Sequence, residues 1–242
     1  MVIPKLVLFD FGGTLFDDGP FIPEQGMEAL RLAADNPEVT DAAEMTRLFR
    51  EFEGRLRGHT AGAPDYPVEV PIKAVMRNIF NRTGLKLSLD MTQCEVVFDR
   101  NNSTRQPTPH IAALLASLHD KCIRTAIISN ISISGAAMRQ AVDEHLPEHR
   151  MEFVITSADY LFCKPAPDMF LAAVRRAGVE PGECWYCGDG FVPDVLGAHN
   201  SGIYPILFDR RQEESFVTKL ERGKEYAVIN DWRELIRKVE QW

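Results

Sequence analysis

The sequence predicts an α/β fold: a doubly wound parallel sheet, Rossmann-like, interrupted after its first strand by a helical insertion. Three observations carry this. A short, wholly apolar run, Leu6–Phe9, stops abruptly at Asp10, as a strand covered on both faces does. Helix-period patterning then occupies residues 17–105 with no strand between the segments. From Arg105 onward short apolar runs alternate with amphipathic segments, the rhythm of repeated βα units.

The elements follow in order. After Asp10 come Gly12, Gly13 and Thr14, before the apolar residues resume at Leu15. An acidic residue at the carboxyl end of a central strand, with bare backbone turning beside it, suits the ligand crevice of an open α/β sheet. The first helix runs from about Pro23 with Met27, Leu30 and Ala34 on one face. The second carries Met45, Leu48, Phe49, Phe52 and Leu56, and Gly58 is its expected C-terminal cap. A Gly- and Pro-rich loop leads to the third, striped by Ile72, Val75, Met76, Ile79 and Phe80 and stopped by Gly84. A fourth is expected from near Ser88 to Phe98. Four helices without a strand read as a small bundle. The expected domains are therefore an α/β core, residues 1–16 and 106–242, and a helical unit, 17–105. Its joints near Asp17–Pro20 and Asn101–Pro109 are rich in boundary residues.

Beyond the insertion, Ile111, Leu114, Leu115 and Leu118 mark a helix, strand TAIIS ends at Ser129, and a helix covers Gly135–His145. Strand FVIT leads to Thr156, a loop reaches Lys164, and Pro167 starts the helix DMFLAAVRRAG. Strand CWYCG ends just before Asp189, and a helix around Asp194–Ser201 precedes strand YPILF. The last strand is Ala227–Ile229. Asp231 with Glu234 resembles a capping box for a final helix striped by Trp232, Leu235, Ile236 and Val239.

Composition narrows the function. The chain has 242 residues, 45% apolar and 26% charged, enough for a sizeable core. Its net charge is −8 and no Lys/Arg run exceeds a pair, which argues against a nucleic-acid or anionic-membrane surface. No signal peptide or membrane-spanning stretch is legible. Five scattered cysteines fit a reducing, cytoplasmic setting. Cys184 and Cys187 form a CxxC, but on a strand positions three apart point to opposite faces. A monomer or homodimer is expected.

Asp10, Ser129, Lys164 and Asp189 each fall at, or shortly after, the carboxyl end of a predicted strand. In a parallel sheet those ends share one edge, so the four can converge. Asp194 follows at the start of the next helix, near enough to turn back. Carboxylates alone would repel a phosphate; a hard cation such as Mg²⁺, shared between carboxylate and phosphate, removes that repulsion. Lys164 would neutralise further charge, and Ser129, with the adjacent Asn130, could bind the phosphate oxygens. The expected ligand is a small phosphorylated metabolite.

DFGGTL, IISN, the KPAPDMF run and GDGFVPDVLGA resemble the four ordered motifs of the haloacid dehalogenase-like (HAD) hydrolase superfamily. The resemblance extends along nearly the whole chain and implies that the helical insertion is a cap. It implies a Mg²⁺-dependent phosphatase with Asp10 as the nucleophile, forming an aspartyl phosphate. The metal site would comprise Asp10, the Gly12 carbonyl, Asp189 and Asp194, the last directly or through water. Ser129 would bind the transferring phosphoryl group and Lys164 would balance charge.

One departure stands out. Phosphatases of this type usually carry a second Asp two residues after the nucleophile, as general acid and base, and here that position is Gly12. General acid–base catalysis contributes about 10²- to 10⁴-fold. Turnover could be weak, or the substrate could have a good leaving group. Alternatively Asp17, Asp18, His59 or His110 could substitute, or the chain could be a phospho-ligand-binding or regulatory protein. The GDGFVPD run argues against the metal-free dehalogenases. Phosphonatases, which also lack the second Asp, use a cap lysine as a Schiff base, for which Lys73 and Lys86 are the candidates. Arg55, Arg57 and Arg105 read as solvated.

Overall fold

The computed structural model describes residues 2–57, 66–214, 216–221 and 223–241. In chain order its elements are β1 (Leu6–Phe9), β2 (Phe16–Asp18), α1 (Pro23–Leu32), α2 (Ala42–Arg57), α3 (Ile72–Thr83) and α4 (Met91–Asn102). Then come β3 (Arg105–Pro107), α5 (Ile111–Asp120), β4 (Arg124–Ser129), α6 (Gly135–His145), β5 (Val154–Thr156), α7 (Ser157–Tyr160) and α8 (Asp168–Ala177). The chain ends with β6 (Cys184–Gly188), α9 (Gly197–Asn200), β7 (Tyr204–Phe208), β8 (Val217–Glu221), β9 (Lys224–Ile229) and α10 (Trp232–Glu240).

A seven-stranded sheet runs in the order β5-β4-β1-β6-β7-β9-β8, parallel except for β8. β1 lies inside it because all four of its side chains are apolar and fully buried. Val7 and Phe9 join the layer of α5, α6 and α10, while Leu6 and Leu8 join that of α8. The same alternation separates Cys184 from Cys187, which fall in opposite layers, so the CxxC cannot act as a pair. Phe9 stands opposite Ile127 of β4 and Cys187 of β6. The carboxyl ends of these three strands therefore lie side by side.

Helices α1 to α4 bury an apolar cluster of their own, including Met27, Leu30, Met45, Leu48, Met76, Ile79 and Phe98. It meets the sheet layers at Ile133 and Ala137 around the start of α6, and at half-buried Ile131, which packs against both clusters. Helix α4 starts later than expected, at Met91. Asp90 accepts from the backbone N–H groups of Thr92 and Gln93, and the Gln93 side chain accepts from the Asp90 N–H, a capping box that fixes this end. At α10 the expected box is only half made. Asp231 accepts from Arg233 N, while Glu234 turns to Arg237 at 2.6 Å. Gly84 ends α3 at φ 74° as anticipated; Gly58 lies outside the described residues.

Four features were not anticipated. An antiparallel ribbon, β2–β3, pairs Asp18 with Arg105 and joins both ends of the helical unit. Its strands are too short and polar to carry a period-2 signal. The antiparallel β8 extends the sheet beyond β9, so β9 begins at Lys224 rather than Ala227. A π-helical turn, Phe191–Leu196, followed by α9 replaces the expected helix around Asp194–Ser201. The loop reaching Lys164 also holds the single turn α7.

Trp232 locks α10 to the sheet edge nearest the first motif. It stacks on Phe208 with ring centres 4.1 Å apart, and meets Phe9 edge-on at 5.9 Å. Its indole N–H donates to the Thr108 hydroxyl at 2.9 Å, and that hydroxyl donates to the Thr14 carbonyl at 2.7 Å. Trp232→Ala should cost about 3–5 kcal/mol, read as a lower urea midpoint with little change in slope.

Candidate active site

The site is built from strand ends. Asp10 directly follows β1, Ser129 closes β4 and Asp189 follows β6. Lys164 arrives from the loop after α7, and Asp194 from the π-helical turn. These five residues, with Gly12, Asn130, Phe11, Asp18, Ile131 and Pro193, line one cleft of about 220 Å³. Asp10, Gly12, Ser129, Asn130, Lys164, Asp189 and Asp194 therefore all line this cleft. The first turn must be glycine-rich for room. Gly13 adopts φ 69°, and a Cβ there would run into the Asp189 carboxylate.

Lys164 is the electrostatic centre. Its ammonium is buried and donates to Asp10 Oδ1 at 2.6 Å, Asp194 Oδ1 at 2.7 Å and Tyr186 Oη at 2.6 Å. Burial works against its charge, but the two carboxylates hold its pKa above the ordinary lysine value. Burial pushes Asp10 up to about 7, against the pull of Lys164 and with the Asp194 charge adding to the rise. Asp189 is also raised, by desolvation first and the Asp194 charge second. The Asn130 amide clamps the loop that carries Lys164: Oδ1 accepts from Lys164 N at 2.7 Å, and Nδ2 donates to Lys164 O at 3.0 Å. Ser129 is buried at the cleft wall.

Asp10, Asp189 and Asp194 each offer one oxygen within 4.8 Å of the others. Such an all-oxygen donor set could hold a hard divalent cation. Burial is the main cause of the raised Asp10 and Asp189 values, and the Asp194 repulsion that adds to both is what a bound cation would relieve.

Sequence reasoning missed Tyr186. Its hydroxyl lies 3.1 Å from both Asp194 Oδ1 and the Ile128 carbonyl, and a tyrosine amid apolar strand residues was the available signal. Of the residues considered as substitutes at Gly12, Asp17 pairs with Arg210 and exposed His110 faces Asp231 at 3.9 Å. His59 lies outside the described residues. Asp18 alone lines the cleft. Lys73 pairs with buried Glu95 at 3.0 Å and with Ser134, and Lys86 is exposed. Arg105 is not solvated as expected: it is buried between Asp18 and Asp99.

Comparison with known proteins gives concordant results. The chain is similar over 234 residues, at 29% identity, to the glyceraldehyde 3-phosphate phosphatase of Methanothermobacter thermautotrophicus, covering 96% of this chain and 97% of that one. It is 24% identical to the enzyme of the same name from Methanopyrus kandleri, covering 98% and 97%. In fold it resembles a 2-haloacid dehalogenase from Pseudomonas syringae, with a TM-score of 0.61 and 20% identity across the full length of both chains. It also resembles a HAD phosphatase from Thermococcus onnurineus, with a TM-score of 0.56 and 22% identity over 97% of each chain. The model of the haloacid dehalogenase-like hydrolase family matches residues 4–202. With that match over a parallel sheet whose strand ends gather Asp10, Lys164, Asp189 and Asp194, the chain belongs to the haloacid dehalogenase-like hydrolase family.

Proposed function

We propose that this hydrolase is a phosphatase of a small phosphorylated metabolite, working through an aspartyl phosphate on Asp10. The observation that carries the reading is the position of the Asp10 carboxylate, held by Lys164 in a small cleft beside two further carboxylates. Asp10, Asp189, Asp194 and the Gly12 carbonyl would hold Mg²⁺, which when bound offsets negative charge on the phosphate and the carboxylates. Lys164 fixes the orientation of the nucleophile and neutralises part of the charge that develops in transfer. The Ser129 hydroxyl and the backbone N–H groups of the first turn orient the phosphoryl oxygens. The four-helix unit serves as the cap that closes over the cleft and excludes water. The names of the Methanothermobacter and Methanopyrus relatives favour a short phosphorylated aldehyde as substrate.

The test is phosphate release from a panel of triose phosphates, sugar phosphates, aryl phosphates and acyl phosphates, with and without Mg²⁺. Release on at least one member, lost in the Asp10→Asn variant, is expected. Chelation should abolish turnover, and added Mg²⁺ should restore it. A native protein no faster than the variant on every member refutes the reading. A second reading follows from Gly12: a phospho-ligand-binding protein with little turnover. It predicts Mg²⁺-dependent binding of a phosphorylated ligand, seen by calorimetry, without phosphate release.

A further inference from the structure

Cleavage of an unactivated phosphomonoester needs a proton for the departing oxygen, and the second half of the reaction needs a base for water. The groups of the cleft can be sorted for that task. Asp10, Asp189 and Asp194 form the acidic cluster. The Lys164 ammonium is committed to Asp10, Asp194 and Tyr186. The Asn130 amide is committed to the Lys164 backbone. Asp18 remains.

Its placement fits the task. A Cβ built on Gly12 would stand 2.9 Å from Asp18 Oδ2, so the Asp18 carboxylate fills the space that a side chain at position 12 would enter. The other oxygen, Oδ1, accepts from Arg105 Nε at 2.8 Å. Arg105 is buried, also gripped by Asp99 at 2.7 and 3.1 Å, and its guanidinium lies 4.8 Å from the Phe11 ring centre. Asp18 is thus oriented from behind by a fixed cation, with Oδ2 free of hydrogen bonds among the described residues and turned to the cleft. Because Asp18 and Arg105 are paired residues of the β2–β3 ribbon, this orientation belongs to the joint between core and helical unit.

We propose that Asp18 is the general acid and base of this site, supplied from the ribbon rather than from the first motif. The inference rests on the phosphatase reading. In the first half, an Asp10 oxygen bonds to phosphorus, the bond from phosphorus to the ester oxygen breaks, and the Asp18 carboxyl proton passes to that oxygen. An alcohol, an aspartyl phosphate and an Asp18 carboxylate result. In the second, water bonds to phosphorus and yields a proton to Asp18 as the bond from phosphorus to Asp10 breaks. The sum is ester plus water to alcohol plus orthophosphate.

The experiment compares native protein, Asp18→Asn, Asp18→Ala and the double variant Gly12→Asp/Asp18→Ala. Substrates are p-nitrophenyl phosphate and the alkyl phosphate that the native protein hydrolyses fastest. In Asp18→Asn the alkyl phosphate rate should fall by about 10²- to 10⁴-fold. With p-nitrophenyl phosphate, whose leaving group needs no proton, a burst of one p-nitrophenol per chain should precede slow turnover. The double variant, whose new carboxyl enters the vacated space, should recover at least about tenfold of the alkyl phosphate rate lost in Asp18→Ala. Equal losses on both substrates without a burst, native rates in Asp18→Asn, or no recovery in a cooperatively melting double variant would each overturn the assignment. So would a native protein that cleaves only aryl and acyl phosphates. A native protein inactive on every substrate instead refutes the phosphatase reading, and this assignment falls with it.

Discussion

Asp10→Asn is expected to lower phosphate release by about 10⁴-fold or more while leaving the fold intact. An amide keeps the shape of the carboxyl but supplies no anionic oxygen to attack phosphorus. The same variant carries a signature in stability. Burial raises the Asp10 carboxyl from 3.8 to about 7 in the folded protein, so folding favours its protonated form. The stability that this contributes is full below the unfolded value and is lost as pH rises through about 7. Asn has no proton to lose. In metal-free protein its melting temperature should therefore gain on the native protein between about pH 5 and pH 8, with the larger advantage at pH 8. Thermal melts at the two pH values check the sign; an advantage that grows toward acid would contradict the account of Asp10 as a charge held at a cost.

Lys164→Met has the second large effect, and it is felt in both stability and rate. Methionine retains length and packing, but the variant leaves the buried Asp10 and Asp194 carboxylates facing each other without the ammonium between them. Removing one partner of a buried ionic set costs about 3–5 kcal/mol. Urea unfolding without metal should show that loss. With saturating Mg²⁺ the loss should shrink, because a bound cation offsets the same repulsion and stabilises the folded state by mass action. Turnover with Mg²⁺ should still fall by about 10²- to 10³-fold, since Asp10, the proposed nucleophile, has lost its orienting donor. A variant as stable as the native protein without metal would mean that Lys164 is not what holds these carboxylates together.

The sequence is legible where the local pattern and the final environment agree. A strand buried on both faces must be wholly apolar, and Leu6–Phe9 is. The end of such a strand in a parallel sheet faces the shared edge, so Asp10, Ser129 and Asp189 could be gathered there before any contact was known. The helix Gly135–His145 and the glycine stop of α3 follow from residues that act within one turn.

What the sequence does not carry is pairing between distant segments. The β2–β3 ribbon joins residues 87 apart in the chain, in strands of three residues whose polar composition resembles a turn. Nothing local marks Arg105 as buried; it is buried because Asp18 and Asp99 arrive from two other elements to compensate its charge. Tyr186 likewise reads as one more strand residue until Lys164 and Asp194 close on its hydroxyl. By itself the sequence determined the sheet, the helical insertion and the set of groups that meet at the strand ends, because periodicity and strand direction are properties of short segments. Only the tertiary structure decided which carboxylate stands beside Gly12, because that depends on how two joints far apart in sequence pair across the mouth of the cleft.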